Sequence, residues 1–202
     1  MYQPLVPESL TWPGLCVVLA LGSMLAWCSG IDQYLTWRAS DWAQLPWVLW
    51  TSSLIHLSGT HLLANLLALT VLAVLGTYLR AGKAATLALL VAWPLGTLML
   101  LWWPRIDAYS GMSGLLNAMA AVLWAHAALR DGTKPISFVI FTVLVLKLLS
   151  EHAWSQPVAF DPNWGFNVVY AAHLAGALAG AGCGLLFSAA SVLRTKPIRP
   201  TS

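Results

Sequence analysis

The chain has 202 residues, of which 59% are hydrophobic and only 8% are charged. A soluble globular domain carries about 25% charged residues, so this composition is too poor in charge to cover a water-facing surface. The net charge is +3, and no block of basic residues alternates with aromatic ones, which gives no support to nucleic-acid binding. The length suits one domain, and we expect a single membrane domain over residues 1–202.

Apolar runs long enough to cross a membrane recur along the chain. A bilayer core needs about 20 apolar residues per helix, and helices satisfy their own backbone hydrogen bonds within lipid. No cation precedes Arg38, so the first run lacks the basic region of a signal peptide and is expected to be a retained membrane helix. The pattern predicts an all-α membrane protein, with loop or interface at the start of its long second span. The predicted spans are approximately 10–28, 47–78, 84–103, 113–129, 136–154 and 166–193.

The cations lie mostly on one side of this arrangement. Seven of them fall in the loops after the second and fourth spans and in the C-terminal segment, namely Arg80, Lys83, Arg130, Lys134, Arg194, Lys196 and Arg199. The opposite side carries only Arg38 and Arg105 among its cations. The positive-inside rule therefore predicts that both termini are cytoplasmic and that the fourth span begins from the outer side.

Four polar residues fall where membrane helices rarely carry them. His61 and Asn65 lie one turn apart on the second span, Ser113 begins the fourth, and His173 lies about two turns into the sixth. Polar groups inside a bilayer are costly, so each is a candidate functional residue. Singly, each has an ordinary explanation as a helix cap, an interhelical hydrogen bond or a packed histidine. Their shared depth on three helices favours a common site.

These residue types suit acyl transfer. A serine hydroxyl becomes a nucleophile when a base takes its proton, and a histidine can be that base, so Ser113 and His173 could form a pair. The Asn65 amide, a ring N–H of His61 and the backbone N–H at the start of the fourth span are donors of the kind that stabilise an oxyanion.

A stripe of small residues supports this pairing. It recurs every four positions on the sixth span, at Ala172, Gly176, Gly180 and Gly184. Gly114 and Ala118 offer a matching strip on the fourth span. Small residues let helix backbones approach closely in membranes, which would bring His173 to Ser113.

Other polar residues have structural interpretations. Lys147 lies near the outer end of the fifth span, four residues before Glu151, and either snorkels toward the interface or pairs with that carboxylate. His126 and His152 would lie on opposite sides of the bilayer, so we reject a metal site between them. The three cysteines show no metal-ligand spacing, and we expect neither a metal nor another cofactor.

Three motifs resemble those of the rhomboid family of intramembrane serine proteases. They are H-x4-H-x3-N at residues 56–65, the family's GxSG as G-M-S-G at 111–114, and its AHxxGxxxG as A-H-x2-G-x3-G at 172–180. The motifs come in the family's order on its expected helices and cover nearly the whole chain. The resemblance implies a six-transmembrane-helix rhomboid-like bundle.

The resemblance also implies roles for individual residues. It makes Ser113 the nucleophile and His173 the general base, a dyad without an acid. It gives His61 and Asn65 to the oxyanion hole and adds Gly111 to the oxyanion and substrate-binding region.

Two further positions are less defined by the resemblance. Asn117 stands where many rhomboids have a tyrosine packed on the histidine; it joins the oxyanion or substrate-binding group and could bond to His173 or to a neighbouring backbone. His56 lies about 140° round the helix from His61 and has a supporting role or none.

The short chain looks like the rhombosortase branch, whose members are thought to process secreted proteins bearing a short C-terminal membrane tail. The implied partner is such a membrane-anchored substrate within the lipid bilayer. The implied location is a bacterial inner (plasma) membrane, with the site opening to the outer side. Release of the product needs a polar cavity that admits water to Ser113, and the outer loop 155–165 could cap its mouth.

Three alternatives stay open. A rhomboid-like protein could bind membrane segments without cutting them, although such relatives lose the serine or the histidine that this chain keeps. A small transporter could line a polar path with His61, Asn65 and His173, although no internal repeat supports it. Finally, the acyl group could pass to an amine in place of water.

Overall fold

The computed structural model describes residues 10–195. Within this range the long helices are α1 (Thr11–Ser29), α4 (Gly59–Tyr78), α5 (Lys83–Leu98), α6 (Ser113–Ala128), α7 (Lys134–Glu151) and α8 (Tyr170–Thr195). The short helices α2 (Asp32–Leu35) and α3 (Val48–Thr51) precede α4. Four short strands, β1 (Trp37–Arg38), β2 (Ala108–Tyr109), β3 (Ala159–Asp161) and β4 (Phe166–Val168), lie in the connections.

Four helices of the described chain are long and apolar enough to cross a membrane. They are α1, α4, α8 and α5 with the 3₁₀ helix that extends it to Trp102. Of the two remaining long helices, α6 is apolar but shorter, and α7 carries Lys134, Lys147 and Glu151. The protein is therefore mostly helical with four candidate spans, and the count of six spans stays a prediction.

Helix α6 lies at the centre of the bundle. Twelve of its 16 residues are buried, and α5, α7 and α8 pack around it. Since protein rather than lipid covers most of its surface, α6 need not match the bilayer in length. Its first residue, Ser113, is half-buried and lies at the end of this packed helix.

The small-residue stripe of α8 faces α6, as the sequence predicts. A side chain at Gly176 would overlap the backbone of Gly114, and one at Gly180 would overlap that of Ala118. On the other side of Gly176, the vacant Cβ position of Gly96 in α5 lies 3.2 Å from its Cα. Glycine thus permits three helix backbones to meet at one level.

The second predicted span is divided. After α3, a 3₁₀ helix (Ser52–Leu54) ends at Ile55, which is extended (φ −87°, ψ 140°). Helix α4 then begins at Gly59, where Ser58 is the N-cap and its Oγ accepts a hydrogen bond from the backbone N–H of His61 at 3.1 Å. Residues 47–58, at the start of the predicted span, therefore lie outside the long helix.

The end of the fifth predicted span and the start of the sixth differ from the structure. Helix α7 ends at Glu151 because His152 takes a left-handed conformation (φ 50°, ψ 37°). Residues 166–168, predicted as helix, instead form β4, which pairs antiparallel with β3. Gly165 (φ 75°) permits the turn between the two strands. Helix α8 begins only at Tyr170, so His173 lies in its first turn rather than two turns in.

The predicted orientation depends partly on residues outside the described range. Lys196 and Arg199, two of the seven cations, lie there, as do both termini. The cytoplasmic placement of the termini therefore stays a prediction.

Candidate active site

Ser113 and His173 are brought together by α6 and α8. The Oγ of Ser113, the first residue of α6, lies 2.8 Å from Nε2 of His173. His173 is buried, with 7% of its side chain exposed. A hydroxyl and an imidazole at hydrogen-bond distance have the arrangement needed for proton transfer from a nucleophile to a base.

The other ring nitrogen of His173 contacts an acid. Its Nδ1 lies 2.8 Å from Oε2 of Glu151, the last residue of α7. A carboxylate only accepts hydrogen bonds, so we assign the ring hydrogen to Nδ1, and Nε2 is left to accept from the Ser113 hydroxyl. The resemblance implied a dyad without an acid, whereas the structure places a carboxylate against the histidine.

Lys147 completes this group on the same helix face. Its Nζ lies 2.5 Å from Oε1 of Glu151 and 3.2 Å from Nδ1 of His173. The sequence left two interpretations of Lys147 open, extension toward the membrane interface and an ion pair with Glu151, and the structure shows the ion pair. The contact of this pair with His173 was not predicted from the sequence. The feature that could have indicated it is an acid–lysine pair at i, i+4 near the depth of the other polar residues.

His61 and Asn65 lie on α4 and line the same cavity as Ser113 and His173. Both are buried, and neither Nδ1 of His61 nor Nδ2 of Asn65 has a hydrogen-bond partner among residues 10–195. Buried polar groups are nearly always paired, so these two unpaired atoms, although shielded from solvent, are candidates to bond a polar atom of a ligand in the adjoining cavity. An oxyanion is such an atom.

Gly111 lies directly against His61. Its backbone has φ 130°, and a Cβ there would come within 3.1 Å of Cε1 of His61. Its N–H donates to the carbonyl of Ser52 at 2.9 Å. Glycine is required here by both conformation and space, so the loop before Ser113 can pass beside the imidazole.

Tyr109 holds the loop before Ser113 through two hydrogen bonds. Its hydroxyl donates to the carbonyl of Gly111 at 2.6 Å and accepts from the N–H of Gly114 at 3.3 Å. Strand β2 also pairs Tyr109 with Trp37 of β1, which ties the connection between α2 and α3 to the segment before α6. Burial raises the pKa of Tyr109, so the phenol keeps its proton and continues to donate.

Asn117 supports the start of α6. Its Nδ2 donates to the carbonyl of Ser113 at 2.8 Å. Of the two partners considered from the sequence, His173 and a neighbouring backbone group, Asn117 therefore bonds the backbone. The side chain is buried and lines the cavity below Ser113.

The β3–β4 hairpin covers His61. The rings of Trp164 and Phe166 have their centroids 5.7 and 5.2 Å from that of His61. His56 packs on the same ring edge-on at 5.1 Å, and its Nδ1–H donates to the carbonyl of Leu54 at 3.1 Å. Burial lowers the pKa of His56, which keeps this loop imidazole neutral near pH 7. The outer loop expected as a cap is thus a short hairpin over the site.

A cavity of about 1260 Å³ opens onto these residues. It is lined by α4 from His61 to Leu75 and by α7 from Val139 to Glu151, so it runs along both helices. Between these two helices its walls are mainly apolar, with Ala64, Ala68, Val139 and Val143 among them, while polar side chains cluster around Ser113 and His173. Within residues 10–195, no group of three His, Cys, Asp or Glu side chains has the arrangement of a metal site.

The fold defines a mostly helical membrane protein in which the hydroxyl of Ser113, the imidazole of His173 and the carboxylate of Glu151 lie in contact beside a cavity. Residues 43–190, most of the chain, match the family model described as Rhomboid domain, and the chain belongs to the rhomboid family. This family consists generally of intramembrane serine proteases that act on membrane-protein substrates within the bilayer. Comparison with curated proteins gives no significant match.

Proposed function

We propose that the protein is an intramembrane serine endopeptidase in which Ser113 is the nucleophile and His173 the general base. The proposal rests above all on the 2.8 Å approach of the Ser113 Oγ to the His173 Nε2. That contact lies at the wall of a cavity that can admit both a peptide and water.

The reaction follows from the contacts. The Ser113 hydroxyl gives its proton to Nε2 of His173 while Oγ bonds to the scissile carbonyl carbon. The carbonyl oxygen becomes an oxyanion, and the unpaired groups of His61 and Asn65 stabilise it together with the backbone N–H of Ser113. The C–N bond then breaks, and the proton on Nε2 passes to the leaving amine. A water molecule then gives a proton to Nε2 of His173 as its oxygen bonds to the acyl carbon, the ester bond to Oγ breaks, and Nε2 returns the proton to Ser113.

The remaining site residues hold this geometry. Gly111 leaves room for the His61 ring, and Asn117 bonds the carbonyl of Ser113 at the start of α6. His56 is given a supporting role through its packing on His61.

We infer that the substrate is the C-terminal membrane tail of another protein, as in the rhombosortase branch. The cavity runs along α4 and α7 between mainly apolar walls, which suits an apolar segment of a second chain. A scissile carbonyl inside a helix is already hydrogen-bonded, so the tail must unwind near the site. The corresponding arrangement has six spans, cytoplasmic termini and an outward-facing site in a bacterial inner membrane.

The two non-catalytic alternatives do not use the hydroxyl–imidazole contact. Neither a membrane-segment binder nor a small transporter needs a serine held against a histidine. Transfer of the acyl group to an amine shares every step up to the acyl-enzyme, and the mass of the product separates it from hydrolysis.

The test uses the full chain in liposomes with two readouts. A fluorophosphonate probe should label Ser113 in the wild type, and a reporter with a C-terminal membrane tail should be cut. Ser113→Ala should abolish both, and His173→Ala should reduce both by at least about 100-fold. Ser188→Ala, which removes a buried hydroxyl from α8 away from the site, is the matched control and should behave as the wild type. Labelling and cleavage that persist in Ser113→Ala would contradict the proposal.

A further inference from the structure

We propose that Glu151 and Lys147 are positioning residues for His173: Glu151 fixes the ring so that Nε2 faces Ser113 as a base, and Lys147 holds the Glu151 carboxylate in place. This inference rests on the proposed function, because it assigns to the pair an effect on the base of that reaction. It departs from the dyad without an acid that the motifs imply.

The contacts of Glu151 use both of its carboxylate oxygens. Oε2 accepts from Nδ1–H of His173 at 2.8 Å, and Oε1 accepts from Nζ of Lys147 at 2.5 Å. The Glu151 side chain is only 14% exposed, whereas that of Lys147 is 43% exposed. A carboxylate so shielded from water needs charged or hydrogen-bonding partners, and these two supply them.

The identity of the partner at Nδ1 decides whether His173 is a base. If Nδ1–H donates to Glu151, the lone pair of Nε2 faces the Ser113 hydroxyl and can take its proton. If Lys147 donated to Nδ1, the ring hydrogen would sit on Nε2, which could no longer accept. Glu151 is nearer to Nδ1 than Lys147 is, at 2.8 against 3.2 Å, and so selects the competent tautomer.

Glu151 and Lys147 are also charged groups next to the His173 ring, so they affect how readily the ring is protonated. The Glu151 carboxylate favours the protonated ring, and the Lys147 ammonium opposes it. The other polar groups of the described chain that face the ring are Ser113 from α6, His61 from α4 and Tyr170 from α8. None of these three is charged at neutral pH when His61 is neutral. Removing the Glu151 carboxylate should therefore make His173 a weaker base, and removing the Lys147 ammonium should make it a stronger one.

The experiment compares three variants of the full-length protein in liposomes: Glu151→Gln, Glu151→Asp and Lys147→Met. The readouts are the rate of fluorophosphonate labelling across pH, and kcat and KM for the tailed reporter. Glu151→Gln should lower kcat about 100-fold with a much smaller change in KM, because glutamine keeps the shape of the cavity wall while the base is misoriented. Glu151→Asp keeps the charge and should recover part of the rate.

The pH profile provides the readout that a purely structural role would not move. Without the carboxylate the protonated ring is less favoured, so the acid limb of the Glu151→Gln profile should shift to lower pH. Without the ammonium it is more favoured, so the limb of Lys147→Met should shift to higher pH. The pair Asp131 and Lys134, 4.0 Å apart and exposed near the other end of α7, gives the matched controls. Asp131→Asn and Lys134→Met should leave rate and profile unchanged.

The outcomes separate this inference from the proposed function. If Ser113→Ala remains active, the proposed function fails. If Ser113→Ala is inactive but Glu151→Gln matches the wild type in rate and profile, the inference alone is overturned. If thermal unfolding shows that Glu151→Gln does not fold, Glu151→Asp and Lys147→Met decide, and an unshifted profile with wild-type rates in both overturns it.

Discussion

Gly176 of α8 lies against the backbone of Gly114 of α6, with no space for a side chain between the two helices. Gly114 follows Ser113 directly, and Gly176 lies three residues after His173, on the same side of α8. The separation of the two helix backbones at this point therefore sets the distance between the hydroxyl and the imidazole. Close packing and the proposed chemistry depend on the same contact.

A methyl group at Gly176 should separate the two helices. We expect Gly176→Ala to destabilise the fold by about 1–3 kcal/mol through overpacking and to lower the rate of probe labelling about 100-fold, because small displacements of reacting groups are costly. Gly182→Ala is the matched control on the same helix, since a Cβ at Gly182 meets nothing within 4 Å. Thermal unfolding and labelling measure both effects. Equal labelling by the two variants would show that the contact does not set the geometry.

Gly111 should tolerate no side chain for a different reason. At φ 130° an alanine is strained, and its Cβ would press on the His61 ring at 3.1 Å. We expect Gly111→Ala to lose about 1–3 kcal/mol of stability and most of its reporter cleavage. Gly132 also has a positive φ, of 82°, but with open space around it. Gly132→Ala should lose stability while keeping its specific activity, and cleavage by Gly111→Ala at the same specific activity would argue against a role for the loop.

The two unpaired groups on α4 should act mainly on the transition state. We expect Asn65→Ala and His61→Ala each to lower kcat by about 100- to 1000-fold, with a smaller change in KM, as for loss of one oxyanion donor. Asn117→Ala provides the comparison, because the Nδ2 of Asn117 is already bonded to the Ser113 carbonyl. Asn117→Ala should therefore lower kcat less than Asn65→Ala does. A larger loss in Asn117→Ala would indicate that the oxyanion is bound nearer to α6 than to α4.

Tyr109→Phe should weaken the loop before Ser113. The change leaves the carbonyl of Gly111 and the N–H of Gly114 without their shared partner, which should destabilise the protein by about 1–3 kcal/mol. Tyr78→Phe, at an exposed position, is the control and should be neutral.

The alkaline stability of the protein gives a second measurement on Tyr109. Burial raises its pKa in the folded state above the ordinary value of 10.0, so the unfolded chain loses this proton first as pH rises. The contribution is fully present below about pH 10 and declines above it. The free energy of unfolding should therefore fall more steeply above pH 10 in the wild type than in Tyr109→Phe, and equal slopes would contradict the buried, protonated phenol.

Much of the helical arrangement could be predicted because lipid imposes a simple rule on composition. Long apolar runs must be helical, and the glycine stripe of α8 identified α6 as its neighbour. The spacing of His61 and Asn65 likewise placed both on one helix face. These inferences need only periodicity and the cost of polar groups in a bilayer.

The connections were harder to predict because tertiary contacts decide them. Residues 166–168 read as an extension of an apolar helix, yet they pair with β3 across a turn at Gly165. The contact of Glu151 with His173 was also missed. Its i, i+4 spacing to Lys147 gave that carboxylate a sufficient local partner, and only the packing of α7 beside α8 brings the imidazole to its other oxygen.

Helix α6 is covered by other helices, whereas the outer helices face the surroundings of the protein. Most residues of α6 are buried against other helices, while α1, α4 and α7 present large apolar side chains outward, such as Val17, Leu67 and Phe138. A change in acyl-chain length or fluidity of the host membrane therefore acts first on those outer helices. If the proposed function holds, different lipids should alter how readily a membrane tail reaches Ser113, while the bond-making step itself should vary little between them.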